Sequence, residues 1–169
     1  MTPQKKLAKI LTAKKLKLRI AESFTGGHLT SLLTAIPGAS EYLVETIVAY
    51  TPEAKQKRLG VPADTIERYG AVSAVCCREM LKGLLKEEGC NLAIATTGNA
   101  GPYADPPDTL GVCYIGAASR DRVVVRRRIF DGTRKNVIKQ GANAALSLAL
   151  EIINSPPPLV SGILSLRVI

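Results

Sequence analysis

The chain has 169 residues, of which 46% are apolar, and it carries a formal net charge of +9. This length suits one domain with a substantial core, and the apolar content excludes an intrinsically disordered chain. No apolar run reaches the roughly 20 residues that span a membrane, and the basic N-terminus lacks the apolar block of a secretory signal, so we expect a soluble cytoplasmic protein.

The first part of the chain predicts a helix, a strand and a second helix. Thr2 and Pro3 can begin a helix, because proline fits the first helical turn. Residues 16–22 alternate between apolar and polar, which is typical of a strand. Residues 29–36 place leucine and isoleucine at helical spacing, and Pro37 ends that helix.

The middle of the chain predicts a strand followed by two helices. Residues 46–50 are rich in β-forming side chains, and Thr51 can then cap a helix that has Pro52 in its first turn. Residues 60–62 break this helix, and a further one begins at Ser73. The apolar face of that further helix carries Val72, Cys76, Met80 and Leu84.

The last part of the chain completes the predicted fold. Residues 92–95 are apolar on both faces, as in an interior strand, and residues 111–118 and 123–130 predict a hairpin. Residues 135–153 show helical core spacing. The alternation of helices and strands predicts an α/β domain over residues 1–153, a three-layer α/β/α sandwich with a mixed, mostly parallel central sheet.

Residues 154–169 form a proline-rich break and an apolar tail. The prolines at 156–158 cannot continue a helix, and residues 159–169 are too few to cross a membrane. Exposed apolar side chains favour aggregation, so we expect the tail to pack on its own domain or on a neighbouring subunit of a homo-oligomer.

The cysteines show no pattern of a metal site. There are four of them, without C-x-x-C spacing and with only one histidine in the chain, whereas a zinc site needs four close ligands. We therefore predict no metal site and interpret the thiols as reduced packing residues. They are Cys76, Cys77, Cys90 and Cys113.

Positive charge is concentrated at the start of the chain. Seven lysines and arginines precede the first acid, Glu22. Such an excess favours an anionic partner, either a phosphorylated small molecule or a nucleic acid. Aromatic residues make up only 4% of the chain and tryptophan is absent, so platforms for base stacking are scarce.

The single histidine, His28, restricts the possible chemistry. It falls in the first turn of a predicted helix, where an exposed or partly packed histidine is common. Without a histidine base, an activated hydroxyl needs another base, and a lysine with a lowered pKa can serve. Lys55 follows a predicted strand end by one helical turn and can reach Ser23, although a surface lysine fits the same local sequence.

Two strand-to-loop junctions are rich in small residues. In the first, AESFTGG, Thr25 is a better helix cap than Ser23, which leaves that serine without a structural duty. The glycines at 26–27, and those in the second junction at 98–101, let a ligand approach backbone N–H groups at a helix start. Neither junction matches a Walker A loop or a dinucleotide fingerprint.

Taken together, these stretches resemble the C-terminal domain of the competence/damage-inducible CinA proteins, the nicotinamide-nucleotide amidase (PncC) family. Members typically show A-E-S-C-T-G-G, Y-S-N-x-x-K, G-A-V-S and S-G-I-A-G-P in this order and at these spacings. The likeness covers roughly residues 5–153. It rests on AESFTGG at 21–27, GASEYL at 38–43, VAYTPEAKQKRLGV at 48–61, YGAVS at 69–73 and TTGNAGP at 96–102.

The resemblance implies hydrolysis of nicotinamide mononucleotide to nicotinate mononucleotide and ammonia, a step of pyridine nucleotide salvage that needs no metal and no cofactor. By analogy, Ser23 is the nucleophile or its close assistant and Lys55 the base. Tyr50 and Thr97 would orient the amide or its oxyanion. Substrate-binding positions would be Thr25, Gly26, Gly27, Ser40, Gly98 and Gly101.

Several positions depart from the family pattern. Phe24 stands in place of cysteine, Thr51-Pro52 in place of Ser-Asn, and Asn99 in place of isoleucine. Residues 103–109 replace a glycine-rich loop, and Ile138 replaces a common arginine.

These departures leave a second hypothesis open, a catalytically impaired family member that binds a nucleotide-like or other anionic ligand. A third hypothesis, nucleic-acid binding through the N-terminal lysines, is the weakest, and we expect no specific nucleic-acid partner and no membrane partner.

Overall fold

The computed structural model describes residues 1–155, and this part contains six α-helices and five strands. The helices are α1 (Pro3–Ala13), α2 (His28–Thr34), α3 (Pro52–Leu59), α4 (Ala63–Tyr69), α5 (Ala74–Lys86) and α6 (Arg134–Asn154). The strands are β1 (Leu18–Glu22), β2 (Leu43–Val48), β3 (Leu92–Gly98), β4 (Val112–Ala118) and β5 (Val123–Ile129). The expectation for the tail at 159–169 lies outside the described residues.

The strands form one mixed sheet in the order β2-β1-β3-β4-β5. β1 is parallel to β2 and β3, whereas β4 is antiparallel to both β3 and β5. Parallel and antiparallel pairs are therefore equal in number, and the prediction of a mostly parallel sheet is corrected on this point. The reason is that β3 and β4 are joined by a loop without a crossover helix, and β4 and β5 by a hairpin.

Helices cover both faces of the sheet. On one face α6 packs on β3 and β4 and contacts α1 and α2, and on the other face α5 packs on the sheet and contacts α3 and α4. Each face has its own cluster of buried apolar side chains. The three-layer α/β/α architecture predicted from the alternation of elements is thus confirmed.

Local sequence signals account for several helix boundaries. The Thr51 hydroxyl accepts a hydrogen bond of 3.2 Å from the Ala54 N–H at the start of α3. The Ser73 hydroxyl accepts one of 3.0 Å from the Cys76 N–H at the start of α5. Both predicted caps are confirmed. In α6 the residues predicted to face the core are all buried, namely Ala145, Leu148, Ala149 and Ile152.

Two local features differ from the sequence prediction. β2 occupies Leu43–Val48, so the strand predicted at 46–50 begins earlier and ends before Ala49. α4 was not predicted, because only Thr65 of its seven residues is buried and no apolar periodicity marks it. The helix packs against α5, and this tertiary contact is not visible in the local sequence.

All four cysteines are buried and free. Burial raises the pKa of the Cys113 thiol to about 12, so this group is neutral at physiological pH. The interpretation of the thiols as packing residues agrees with this environment. Between residues 1 and 155, no helix is both long enough and apolar enough to cross a membrane.

Candidate active site

The strand directions bring two distant segments to one end of the sheet. β1, β2 and β3 are mutually parallel, and we call the end at which they finish the carboxyl end of the sheet. Ser23 directly follows β1, and Lys55 lies in the first turn of α3, which follows β2. In α/β proteins such strand ends are where ligands are held.

Ser23 and Lys55 are in direct contact. The Lys55 Nζ donates one hydrogen bond of 2.9 Å to Ser23 Oγ and a second of 3.0 Å to the Ala49 carbonyl oxygen. Both side chains are buried, with exposed fractions of 6% for Ser23 and 2% for Lys55. The spatial pairing inferred from the sequence is therefore present.

The surroundings of Lys55 favour its neutral form. Burial lowers the pKa of the Lys55 ammonium from its ordinary value, and the nearby Cys76 opposes this shift in part. Within residues 1–155, no carboxylate forms an ion pair with Lys55. When this amine has lost its proton, the same short separation allows the Ser23 hydroxyl to donate to it.

A cavity of about 220 Å³ opens above the pair. Ser23 and Lys55 lie at its floor, and the loop 98–101 forms one wall. Two exposed aromatic residues, Tyr50 and Tyr103, lie at its rim, with exposed fractions of 53% and 92%. The cavity thus combines a buried reactive floor with an open, polar mouth.

A larger cavity elsewhere lacks such a pair. It measures about 440 Å³ and is lined by Arg19, Glu45, Arg58 and Glu87 among others. Arg19 and Glu45 form an ion pair with each other. None of the residues that line this cavity is a hydroxyl or thiol beside a base, whereas the cavity of about 220 Å³ contains Ser23 beside Lys55 and is therefore the candidate active site.

Arg134, which the sequence reasoning missed, also lies at the mouth of the smaller cavity. It is the first residue of α6, and its guanidinium donates a hydrogen bond of 2.7 Å to the Gly101 carbonyl oxygen and another to the Tyr50 hydroxyl. A signal for Arg134 was available in the predicted hairpin, because β5 runs in the same direction as β3. The predicted hairpin at 111–130 therefore returns the chain to the carboxyl end of the sheet just before Arg134.

Glu22, the last residue of β1, is the second residue that was missed, and its carboxylate reaches the start of α2. This buried carboxylate accepts hydrogen bonds from the N–H groups of Gly27 at 3.0 Å, Leu29 at 3.2 Å and Thr30 at 2.8 Å. It also accepts one of 2.6 Å from the Thr30 hydroxyl. The backbone donors expected to bind a ligand anion here are thus already paired with Glu22.

The prediction that Thr25 caps α2 is wrong. Gly27 is the cap residue, in the left-handed conformation at φ 95°, and no side-chain hydroxyl caps it. The Thr25 hydroxyl instead shares a hydrogen bond of 2.8 Å with the Thr96 hydroxyl, which also accepts from the Ser23 N–H at 3.4 Å. Thr25 is not needed as a cap, because the Glu22 carboxylate reaches across the turn and accepts hydrogen bonds from the backbone N–H groups at the start of α2.

The structure brings only some of the other predicted site residues to the cavity. Gly98 and Gly101 line it, as does Tyr50. Thr97 does not, and its hydroxyl donates to the Ala71 carbonyl oxygen at 2.7 Å. The remaining predicted residues, Thr25, Gly26, Gly27 and Ser40, do not line the cavity, and neither does the histidine, His28.

Ser40 lies furthest from the expected arrangement. It is exposed in a short 3-10 turn, Ala39–Glu41, which is separated from the start of β2 by Tyr42 alone. The turn is therefore at the amino end of the parallel strands, opposite the cavity.

The family departure at Phe24 is accommodated by packing. The ring is 3% exposed and packs against Gly141 of α6. A Cβ atom added to Gly141 would lie 2.3 Å from Phe24 Cζ, so only glycine leaves room for the ring. Phe24 borders the cavity, but the end of its ring is directed into the core.

Two further departures form one structural unit. The Asn99 amide donates a hydrogen bond of 2.9 Å to the Thr109 hydroxyl, and that hydroxyl donates one of 2.6 Å to the Pro106 carbonyl oxygen. Asn99 thereby ties the loop 103–109 to the cavity wall. A third departure, Ile138, packs on the apolar core, one helical turn after Arg134.

Comparison with known proteins agrees with this architecture. The family model described as the CinA C-terminal domain matches residues 1–153. A putative competence-damage inducible protein of Desulforamulus reducens is 42% identical over 134 residues, which are 79% of this chain and 33% of that protein. One of Clostridium acetobutylicum is 41% identical over 150 residues, 88% of this chain and 36% of that protein. The chain spans about a third of the length of these relatives.

Solved structures show the same fold. A competence or damage-inducible protein from Enterobacter asburiae matches with a TM-score of 0.85 and 31% identity, covering 90% of this chain and 96% of that one. A CinA superfamily protein from Klebsiella pneumoniae matches with a TM-score of 0.85 and 30% identity, covering 89% of this chain and 95% of that one. This chain therefore belongs to the CinA C-terminal domain family.

Proposed function

We propose that this protein hydrolyses the carboxamide of nicotinamide mononucleotide, giving nicotinate mononucleotide and ammonia. The observation that carries the proposal is the 2.9 Å contact between Lys55 Nζ and Ser23 Oγ at the floor of the cavity. A buried lysine that lacks a carboxylate partner loses its proton more readily than an exposed one, which suits it to act as a base. The substrate itself is the one that the family resemblance implies.

In the first half of the reaction, neutral Lys55 takes the proton of the Ser23 hydroxyl while the oxygen attacks the carboxamide carbon. The tetrahedral intermediate collapses when the carbon–nitrogen bond breaks, and the Lys55 ammonium donates the proton to the departing nitrogen, which leaves as ammonia. Ser23 then carries an acyl ester. In the second half, Lys55 takes a proton from water, whose oxygen attacks the ester, and Ser23 recovers its proton as the carboxylic acid leaves.

The negative charge of each tetrahedral intermediate needs hydrogen-bond donors. The loop 98–101 supplies suitable groups, because the N–H groups of Ala100 and Gly101 donate no hydrogen bond within the described residues. Thr97 would act indirectly, since its hydroxyl holds the Ala71 backbone that forms another part of the wall. Tyr50 would act at the rim, where it contacts Arg134.

Release of ammonia from nicotinamide mononucleotide by the purified protein tests the proposal. We expect Ser23→Ala and Lys55→Met to lower the rate about a hundredfold or more, since a positioned base contributes at least this much. Matched controls are Ser31→Ala and Lys57→Met, which change exposed residues of α2 and α3. Wild-type release no greater than that of Ser23→Ala would contradict the proposal.

The same protein preparation also distinguishes the amidase from the binding-module hypothesis, in which the site binds a ligand without hydrolysing it. If wild-type protein releases no ammonia but is stabilised by nicotinamide mononucleotide in thermal unfolding, the site binds without hydrolysis. Ligand at 100 times its Kd stabilises the folded state by about 2.7 kcal/mol, which such a measurement resolves.

A further inference from the structure

We propose that Thr96 is a positioning residue, whose hydroxyl, paired with that of Thr25, holds Ser23 in place for attack. This inference rests on the proposed function and deepens it, because it assigns a role to a side chain that acts only through the nucleophile.

Ser23 needs such support because it lies outside the regular secondary structure. β1 ends at Glu22, whose carbonyl oxygen accepts a hydrogen bond of 2.8 Å from the Ala49 N–H. Within residues 1–155 no strand ladder includes Ser23, and α2 begins only at His28. The direction of the Ser23 side chain therefore depends on the bonds that its own backbone forms.

The backbone of Ser23 forms two hydrogen bonds. Its N–H donates to Thr96 Oγ1 at 3.4 Å, and its carbonyl oxygen accepts from the Gly26 N–H at 3.0 Å. The second bond lies within the turn itself, so only the bond to Thr96 ties the backbone of Ser23 to the sheet. The remaining contact, from Lys55 to Ser23 Oγ, is the one that must change when the proton is transferred.

Thr96 is suited to be a rigid anchor. It lies in β3, which has β1 on one side and β4 on the other, and it is completely buried. Its β-branched side chain has little freedom at χ1. Its hydroxyl also shares a hydrogen bond of 2.8 Å with the Thr25 hydroxyl. A single side chain of a central strand thus holds both ends of the segment 23–25.

The two threonines act from outside the cavity. Neither Thr25 nor Thr96 lines it, and their exposed fractions are only 2% and 0%. Because the Ser23 N–H is directed to Thr96, the donors for the oxyanion are those proposed above in the loop 98–101. Loss of the threonine pair should therefore slow the chemical step and leave substrate binding intact.

Steady-state kinetics with nicotinamide mononucleotide test the inference. Thr96→Val keeps the shape of the side chain and removes its hydroxyl, whereas Thr96→Ser keeps the hydroxyl. We expect Thr96→Val to lower kcat about 10- to 100-fold and to change KM less than about twofold, because a misplacement of about 1 Å at a reacting group can cost about a hundredfold in rate. Thr96→Ser should recover most of the rate.

Thr65→Val is the matched control, because Thr65 is a buried threonine of α4 that does not line the cavity. It should leave kcat unchanged, and thermal unfolding shows whether each variant is folded. An unchanged kcat in Thr96→Val, a loss that appears in KM instead, or an equal loss in Thr96→Ser would overturn the inference.

Thr25→Val provides a second variant, which removes the other hydroxyl of the pair. It should also lower kcat without raising KM, and this expectation holds if Thr96→Val does not fold. Where both variants fold, their losses should not add in the double variant, because each disrupts the same hydrogen bond. An unchanged kcat in Thr25→Val, or additive losses, would contradict a joint role of the two hydroxyls.

Chemical modification of Ser23 keeps this test separate from the test of the proposed function. Diisopropyl fluorophosphate modifies a reactive serine when the serine oxygen bonds to phosphorus and fluoride leaves, and it requires no recognition of a nucleotide. The rate is measured from the mass of the peptide that contains Ser23. We expect modification to be about tenfold slower in Thr96→Val than in wild type and in Thr96→Ser, even if none of these proteins releases ammonia. Equal rates in wild type and Thr96→Val, or no modification of Ser23 in wild type, overturn the inference.

Discussion

Lys55 Nζ lies 2.9 Å from Ser23 Oγ, although the two residues are 32 positions apart in the sequence. Two parallel strands create this proximity, because Glu22 and Val48 are register partners at the ends of β1 and β2. Ser23 follows the first strand directly. The Thr51 cap starts α3 soon after the second, and Lys55 points from its first turn toward the serine.

The rate of ammonia release should increase with pH as Lys55 loses its proton. Burial lowers the pKa of Lys55, so the midpoint of kcat/KM should fall below about 10.4, the ordinary lysine value. The measurement is kcat/KM for nicotinamide mononucleotide between pH 6 and pH 10.

In the same assay Lys55→Arg should be inactive at every pH, because arginine cannot act as a base. A profile that is flat across this range in wild type, or activity in Lys55→Arg, would speak against Lys55 as the base.

The pH dependence of folding stability should also report the lowered pKa of Lys55. Because the pKa of Lys55 is lower in the folded state, the unfolded chain binds more protons, and the charged lysine weakens the fold at low and neutral pH. This penalty is fully present below the folded pKa and disappears as the pH rises toward about 10.4.

Urea unfolding of wild type and Lys55→Met at several pH values checks this expectation. The difference in the free energy of unfolding should shift in favour of wild type as the pH rises. Lys57→Met, at an exposed position of the same helix, should show no such trend. A shift in the opposite direction would contradict a lowered pKa.

Glu22 should be essential for the turn that carries Ser23. Glu22→Gln keeps the size of the side chain but replaces one acceptor oxygen and removes the negative charge at the start of α2. We expect a loss of about 1–3 kcal/mol in the free energy of unfolding and a lower rate of ammonia release.

Glu67→Gln is the matched control, because Glu67 is exposed in α4. Chemical denaturation measures both variants. If Glu22→Gln were as stable as Glu67→Gln, the four hydrogen bonds to Glu22 would not have the importance assigned to them here.

The sequence was most informative where side chains repeat along one face or cap a helix. Apolar spacing located α5 and α6, and single hydroxyls marked the starts of α3 and α5. The family resemblance, together with the requirement for a base other than histidine, indicated the pair of Ser23 and Lys55.

Other features depend on tertiary contacts that no local pattern reports. A Glu-Ser pair looks the same in the sequence whether the glutamate side chain faces a ligand or, like that of Glu22, the start of a helix. α4 has too few buried residues to show a period. For Arg134 the predicted hairpin was a partial signal, but the residue reaches the site only because β4 pairs antiparallel with β3, so that β5 returns to the carboxyl end of the sheet.

The contact between Phe24 and Gly141 gives a prediction on packing. Gly141→Ala should lower the free energy of unfolding by about 1–3 kcal/mol, because the added methyl group overlaps the Phe24 ring. The loss should be smaller in the Phe24→Leu background, which a double-mutant cycle would record as coupling.

Ser147→Ala changes an exposed residue of the same helix and should have little effect. If Gly141→Ala caused the same loss with Phe24 and with Leu at position 24, the overlap would not be its cause.

The most direct test of the central claim is to trap the ester on Ser23. Wild-type protein is mixed with nicotinamide mononucleotide, quenched in acid within the first turnover, and digested for mass spectrometry. We predict that the peptide containing Ser23 gains the mass of the substrate minus ammonia, and that Ser23→Ala gains nothing and releases no ammonia. Undiminished ammonia release by Ser23→Ala, without any adduct in wild type, would contradict the account.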